Sequence, residues 1–381
     1  MSDTSRVQLA YIKESNFNTK KTGSNLQIIR KLSEDLALQA QTHVSGEMSA
    51  DRQTSGIRRV QFSTAGPVNY ELSYGTYDDW LASALQSTWQ SPVTNGPKIT
   101  IAAAATTNKY TDSGNGFNSF VVGQWVYVTG FANAANNGYA KIVSKAAGEI
   151  VVAKTLVTES VGPSVTVKQG GYVVNGTTLD TYNLERAYSD LVQELALFKG
   201  QAVNQWSFDL PTAGAITGAF NFIGASEEQL TASGGTGYTA ASTTRPFGSL
   251  DLTNLIENNA NMQIRSLSFT YDNQLHQRLV AGAAGVLSIG SGPIRIEGSL
   301  EAYYTDKTLY EKYVNETVSQ LAVALRDPDG NGYVIEFPRV AFSSGNRGSS
   351  QSPDTLARMN FTAYKHPTEG VTARIARFPA A

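Results

Sequence analysis

The chain has 381 residues, among them 34 glycines, 18 tyrosines and 15 phenylalanines, with a formal charge of −2 and no cysteine. The lack of cysteine excludes disulfides, zinc fingers and thiol chemistry, and three scattered histidines (His43, His276 and His366) leave little for a metal site. The near-neutral balance gives no overall basic surface for phosphate backbones, while glycine and aromatics together favour a turn-rich β protein.

Length allows a full core and two domains, at ~100–200 residues each. The N-terminal Met1-Ser-Asp-Thr-Ser-Arg-Val lacks the apolar centre of a secretory signal. The longest apolar stretches, such as Ile99 to Ala105, fall far short of the ~20 residues of a membrane helix. Synthesis and folding in a cytoplasm, without membrane insertion, are expected.

In chain order, the first distinctive segment is Asp51-Arg-Gln-Thr-Ser-Gly-Ile-Arg-Arg59, three arginines and an acid between strands. It is either a plain exposed hairpin loop or an interface, since Arg52, Arg58 and Arg59 suit charge-assisted contacts with a neighbouring subunit. Next, Thr76 precedes Tyr77-Asp78-Asp79-Trp80-Leu81. This predicts a helix in which the Thr76 hydroxyl caps the Asp79 amide and two acids favour the positive helix start. Trp80, Leu81, Ala84 and Leu85 make its apolar face.

Residues 92–169 differ in rhythm, being rich in Ala, Gly, Asn and Val, and turn signals flank them at Ser91-Pro92, Asn95-Gly96-Pro97 and Gly170-Gly171. They read as an inserted domain that divides residues 1–91 from 170–381. Within it, Val121–Thr129, Asn136-Asn-Gly138 and Tyr139–Val143 predict strand, Asn-Gly turn, strand, with a third strand over Glu149–Lys154. A small barrel or Ig-like module follows.

Beyond it, Trp206, Phe208 and Leu210 alternate with Gln205, Ser207 and Asp209, and Ile216, Gly218, Phe220 and Phe222 with Thr217, Ala219 and Asn221. Successive strand side chains point to opposite faces, so both strands are half buried and half wet. The tract Leu230–Thr244 reads as a long flexible loop. Alternation resumes at Leu267, Phe269 and Tyr271; at Ile294, Ile296, Leu300 and Ala302; at Leu321, Val323 and Leu325; and at Met359, Phe361 and Ala363. Opposite the second set lies a mixed-charge face of Arg295, Glu297, Ser299 and Glu301. A second helix is predicted near Asp306–Asn315, with Leu309, Tyr310, Tyr313 and Val314 packed on a sheet.

Several chemical motifs fail on inspection. Asp327-Pro-Asp-Gly-Asn-Gly332 imitates a calcium loop, but its twelfth position is Pro338 where a bidentate Glu is needed, so it reads as a hairpin turn. Gly290-Ser-Gly292-Pro293 lacks the third glycine and lysine of a phosphate loop. The acid pairs Glu34-Asp35, Asp78-Asp79 and Glu227-Glu228 fit solvated faces or helix starts, and no serine sits in a nucleophile elbow. No enzyme activity and no cofactor are expected, carboxylates that meet only in the fold being the one route left open.

Asn175-Gly-Thr-Thr, the run Tyr182–Leu191 and Ile216–Gly224, preceded by Ser45–Gln53 and Val68–Trp80, together resemble the major tail tube proteins of long-tailed (siphovirus-type) bacteriophages. The run Val122–Tyr139 is similar to a module inserted in some of them. The resemblance implies a β-sandwich of two packed sheets flanked by a short helix, its subunits joined in stacked hexameric rings that form a DNA ejection channel in the virion tail. It implies as partners further copies of the chain, a tape measure protein, and tail terminator and distal tail proteins. Long hairpin loops join rings in that family, which favours Asp51, Arg52, Arg58 and Arg59 as an inter-ring loop. The Arg295, Glu297, Ser299 and Glu301 face, or its neighbours, would supply a polar lumen past which DNA slides. The insert would project outward and be dispensable for assembly; Trp125 and Tyr127 are candidates for a carbohydrate contact if exposed. A single-ring tail-tip component of the same fold, or a cell-surface sugar-binding protein, are the alternatives.

Overall fold

The computed structural model describes residues 3–48, 50–192, 194–304, 307–346 and 355–380. The protein is mainly β, with several sheets, two short α-helices and no closed barrel among the described residues. It divides into two compact units: Met1–Gln86, Thr177–Pro246 and Ser268–Glu297 in the first, and Ser87–Gly176, Phe247–Leu267 and Gly298–Ala381 in the second.

In the first unit the strand Thr217–Gly224 lies between Leu195–Leu210 and Ile57–Glu71, with Phe220 opposite both Trp206 and Val68. This register places Val68, Tyr70, Trp206, Phe208, Phe220 and Phe222 on one buried face, as the alternation requires. The helix Asp78–Ala84 covers that face. Trp80 sets its ring edge-on against Phe220 and Phe222, at 5.4 and 5.0 Å between centroids. The Trp206 indole donates to the Tyr70 hydroxyl (2.7 Å), which donates to the Ser207 carbonyl (2.9 Å), so two buried polar groups are satisfied within the aromatic core.

The helix start differs from expectation. Tyr77, not Thr76, occupies the cap position, and no side chain caps it. The Thr76 hydroxyl is engaged instead with Ser73 (2.7 Å), a buried local pairing that competes with the helix amide. Both acids stand in the first turn, where Asp79 accepts from the Tyr11 hydroxyl at 2.9 Å. The tract Leu230–Thr244 is anchored, contrary to its reading as a flexible loop. Tyr238–Thr239 pairs in parallel with Leu26–Gln27, and the buried Glu185 carboxylate accepts from Ser233 Oγ, the Gly234 amide and the Tyr238 hydroxyl.

In the second unit, strands Ser319–Arg326 and Gly332–Asn346 form a hairpin, extended by Leu356–Ala363, Arg374–Phe378 and Leu252–Glu257. The calcium-like sequence is its turn: Asp327 accepts from the Asn331 backbone amide and side chain at 2.7 and 3.2 Å. The second helix is Thr308–Val314; the predicted start at Asp306 lies outside the described residues. None of its residues is fully buried and Val314 is exposed, so the expected apolar packing face is only partly covered.

Residues 93–169 build a separate seven-stranded sheet in the order Val93–Lys98, Val165–Gln169, Trp125–Thr129, Gly138–Ala146, Glu149–Val152, Lys109–Asp112 and Ile101–Ala104. A bulge between Ile142 and Ser144 bends the central strand, so that it pairs with Trp125–Thr129 before the bulge and with Glu149–Val152 around and beyond it. The sheet curls over a core of Tyr110, Phe117, Phe120, Val126, Val128, Ile142, Ile150, Val165 and Val167, and its end strands do not pair with each other. The hairpin pairing is as predicted, but its strand begins at Trp125 and the connection spans 130–137. That connection contains a 3-10 turn, Ala134–Asn136, in place of a two-residue Asn-Gly turn. Side chains dictate this: Asn137 bridges the Phe131 amide and carbonyl, while Glu159 accepts from the Ala132 and Asn133 amides.

Candidate assembly surfaces

The predicted Asp51–Arg59 segment belongs to a two-stranded ribbon, Ala37–Val44 paired with Ile57–Glu71. Every residue of Ala37–Val44 is exposed, as are Ile57 to Val60 on its partner. Cross-strand pairs share a face, and the register sorts the ribbon into two. One carries Leu38, Thr64, Ala40, Phe62, Thr42, Arg59, Val44 and Ile57, mostly apolar but with Arg59 on it; the other carries Gln39, Ser63, Gln41, Gln61, His43 and Arg58. Ile57 is 71% exposed and Met48, at the tip, completely so. Arg58 opposes His43 and Arg59 opposes Thr42, so these two arginines lie on opposite faces and do not form one cluster. Arg52 and Asp51 sit at the tip, Arg52 in the left-handed region (φ 62) and Asp51 accepting from the Gln53 amide at 3.1 Å.

The candidate lumen residues fall on the strand Arg295–Tyr303, whose Ile296, Leu300 and Ala302 are buried while Arg295, Glu297 and Ser299 are exposed and Glu301 is half-buried. Arg295 pairs with Glu297 at 2.7 Å and Arg358 with Glu301 at 2.6 Å, so each of these carboxylates faces a guanidinium. A second polar face, on the first unit, was legible as wet alternation but not as a candidate. It comprises Asn69, Glu71, Gln205, Ser207, Asp209, Thr217, Asn221 and Asp272. Gln205 donates to Asp272 (3.0 Å) and accepts from Asn221 (3.4 Å), a cross-strand polar ladder whose charged members Glu71, Asp209 and Asp272 are all acidic.

Trp80, Leu81, Ala84 and Leu85 are all buried in the core of the first unit. Trp125 is buried and Tyr127 half-buried. On the strand Trp125–Thr129, Val126 and Val128 enter the small sheet's own core, and the opposite face, with Trp125, Tyr127 and Tyr139, packs on Ala322, Ala324, Val334, Ala376 and Phe378. The Trp125 indole donates to Glu336 at 2.8 Å, and the Arg326 guanidinium lies 4.0 Å from the Tyr127 ring centre.

Glu336, fully buried, is the hub of a cluster that no sequence motif announces. Arg374 reaches it at 2.6 Å, Lys141 at 2.7 Å and Gln320 at 2.6 Å. Glu369 completes the set, 2.7 Å from Lys141 and 2.8 Å from Arg374. Burial alone would raise the Glu369 carboxyl, but Lys141 and Arg374 outweigh it and hold the group below its ordinary value. Burial likewise opposes charge on Arg374, and Glu336 and Glu369 reverse that. Lys141 stands directly opposite Trp125 in the ladder, so two neighbouring strands converge on one carboxylate.

One member of each acid pair makes a structural contact. Glu34 holds Arg186 through two bonds of 2.7 and 2.6 Å, Asp79 accepts from Tyr11, and Glu228 pairs with Lys199 at 2.8 Å. No group of three or more His, Cys, Asp or Glu able to hold a metal occurs among the described residues, and no helix there is long and apolar enough to cross a membrane.

This architecture defines a mainly β protein of packed sheets with a small helix over its aromatic core. The chain belongs to the phage tail tube protein family, whose model matches residues 4–363. Membership makes it a structural component of a phage tail, which implies self-assembly into a tube alongside other tail proteins. No individual curated protein matches the chain.

Proposed function

We propose that the chain polymerises as stacked hexameric rings into the tail tube of a siphovirus-type phage and forms the channel through which DNA is ejected into the host. The observation that carries this reading is the ribbon. Two strands alone are marginal in water, and this pair exposes apolar side chains on a free edge, a state that pairing with a further copy resolves. Asp51, Arg52, Arg58 and Arg59 then lie where adjacent rings meet, with the arginines reaching carboxylates of the next ring.

The Arg295, Glu297, Ser299 and Glu301 face, with the acidic ladder around Gln205 and Asp272 as a second candidate wall, suits a lumen that does not hold DNA. Each phosphate neutralised by the wall adds affinity and would slow passage, and here the arginines are already matched by carboxylates. The tape measure protein would occupy the lumen before ejection, and terminator and distal tail proteins would close the ends. The 93–169 sheet would face outward, since an obstruction inside would block the channel.

Negative-stain electron microscopy over a concentration series, after size-exclusion chromatography, tests the reading. Hollow tubes or stacked rings are expected. Discrete rings that never stack would favour the tail-tip alternative, and compact monomers that bind glycan would overturn the assignment.

A further inference from the structure

We infer that the loop 279–287 belongs to the same self-association surface as the ribbon, and that a second copy of this chain docks on the apolar ribbon face together with this loop. The inference rests on the self-assembly reading above. The strands His276–Arg278 and Ser288–Gly290 form a small hairpin whose base is fixed: Leu275 and Ile289 are buried with Ala202, and Gln277 donates to the Gly224 carbonyl at 2.9 Å. Its tip shows the reverse. Leu279, Val280 and Leu287 are exposed, Leu287 by 61%, and Gly282 turns the chain at φ 88 with open space around it.

Three apolar side chains on a well-anchored tip are costly in water and call for a partner. The tip is also joined to the ribbon. The Phe62 amide donates to the Ala284 carbonyl at 2.9 Å, and a Cβ added at Gly285 would come within 3.3 Å of Phe62 Cζ. Phe62 is opposite Ala40 and shares a face with Leu38, Val44 and Ile57, the Thr42–Arg59 pair lying between it and the last two. Apolar surface therefore continues from the ribbon across Phe62 to the loop.

The self-assembly that family membership implies points to a second copy as the occupant, and charge agrees. Ribbon 37–71 and hairpin 276–290 together carry Arg52, Arg58, Arg59 and Arg278 against Glu47, Asp51 and Glu71, a net +1, so with −2 for the whole chain the remainder of a second copy carries −3, the complementary sign. The apolar side chains would supply the burial, and Arg59 on the same face with the arginines around it the orientation and speed of encounter.

The absence of native cysteine allows a direct test. L287C in the loop and I57C on the ribbon are each labelled with a maleimide, in dilute monomer and in assembled tubes. Both should react freely as monomer and at least ~10-fold more slowly in tubes, as burial in a contact requires. The double variant Leu279→Ser/Leu287→Ser, with an unchanged monomer melting curve, should raise the concentration needed for assembly by ~10-fold or more, the loss of two leucine contacts. Equal labelling of L287C in monomer and tube, with I57C protected, would overturn the loop's role and leave the ribbon reading intact. Labelling of I57C unchanged on assembly, or a wild-type chain that stays monomeric at every concentration, would overturn the reading beneath it.

Discussion

The ribbon 37–71 and the sheet 93–169 are both β structure, yet they end in opposite conditions. The small sheet has a core of its own, and on its outer aromatic face Trp125 and Tyr139 are buried, with Trp125, Lys141 and Arg374 all bonded to Glu336. The outer half of the ribbon has no core; its apolar and polar faces are both in water, and its stability is local pairing alone. Under the proposed assembly, the finished surface marks where a subunit ends and the unfinished one where the next begins. Motif searching finds neither, because the information lies in which faces are covered.

The widest separation between the two regions is expected at Glu336. Glu336→Ala leaves Arg374 and Lys141 buried without their shared carboxylate, and loss of one partner of such a pair costs about 3–5 kcal/mol. Urea unfolding of the purified chain should show it. Trp125→Phe keeps an aromatic ring but removes the indole donor to Glu336 and part of the buried ring volume, and about 1.5–3 kcal/mol is expected from the lost bond by the same measurement. Were Glu336→Ala no worse than a surface change, the small sheet would not be fastened as described.

Acid sharpens the contrast. Asp112, in the small sheet, is buried, which alone would raise its pKa, but donors from Lys98, the Gly114 amide, Thr100 and Asn95 outweigh this and depress it well below 3.8. A depressed carboxyl stabilises the fold above its unfolded pKa and loses that contribution as pH falls toward the folded value. Stability should therefore decline as pH drops below about 4. Asp112→Asn should be less stable at neutral pH and show a flatter acid limb in pH-dependent melting. The smallest effect on the monomer belongs to the ribbon: Ile57→Ser should shift unfolding by no more than ~0.5 kcal/mol while assembly, read by sedimentation, is strongly reduced.

Much of the fold was legible because burial on one face imposes a period of two, and Trp206, Phe208, Phe220 and Phe222 obey it. The helix over them was legible from Trp80, Leu81, Ala84 and Leu85, though its cap was not, since Ser73 captures Thr76 only in the folded chain. Alternation at Trp125 and Tyr127 announced two faces without saying what covers the second, and the cover lies some 200 residues away at Glu336 and Phe378. Glu185 was invisible for the same reason, being joined by folding to a loop that composition describes as flexible. Among the proposed assembly residues, the arginine loop stood out by charge, while the mostly apolar ribbon face depends on a cross-strand register that the bulge between Gln41 and Thr42 resets.

Hydrogen–deuterium exchange of monomer and assembled protein, compared segment by segment, tests the central contrast most directly. Amides of 38–44 and 57–62 should exchange rapidly in the monomer and slow by orders of magnitude on assembly, while those of 125–129 and 138–142 are protected in both. A ribbon that exchanges at the same rate in both states would contradict the claim that this surface is completed by another copy of the chain.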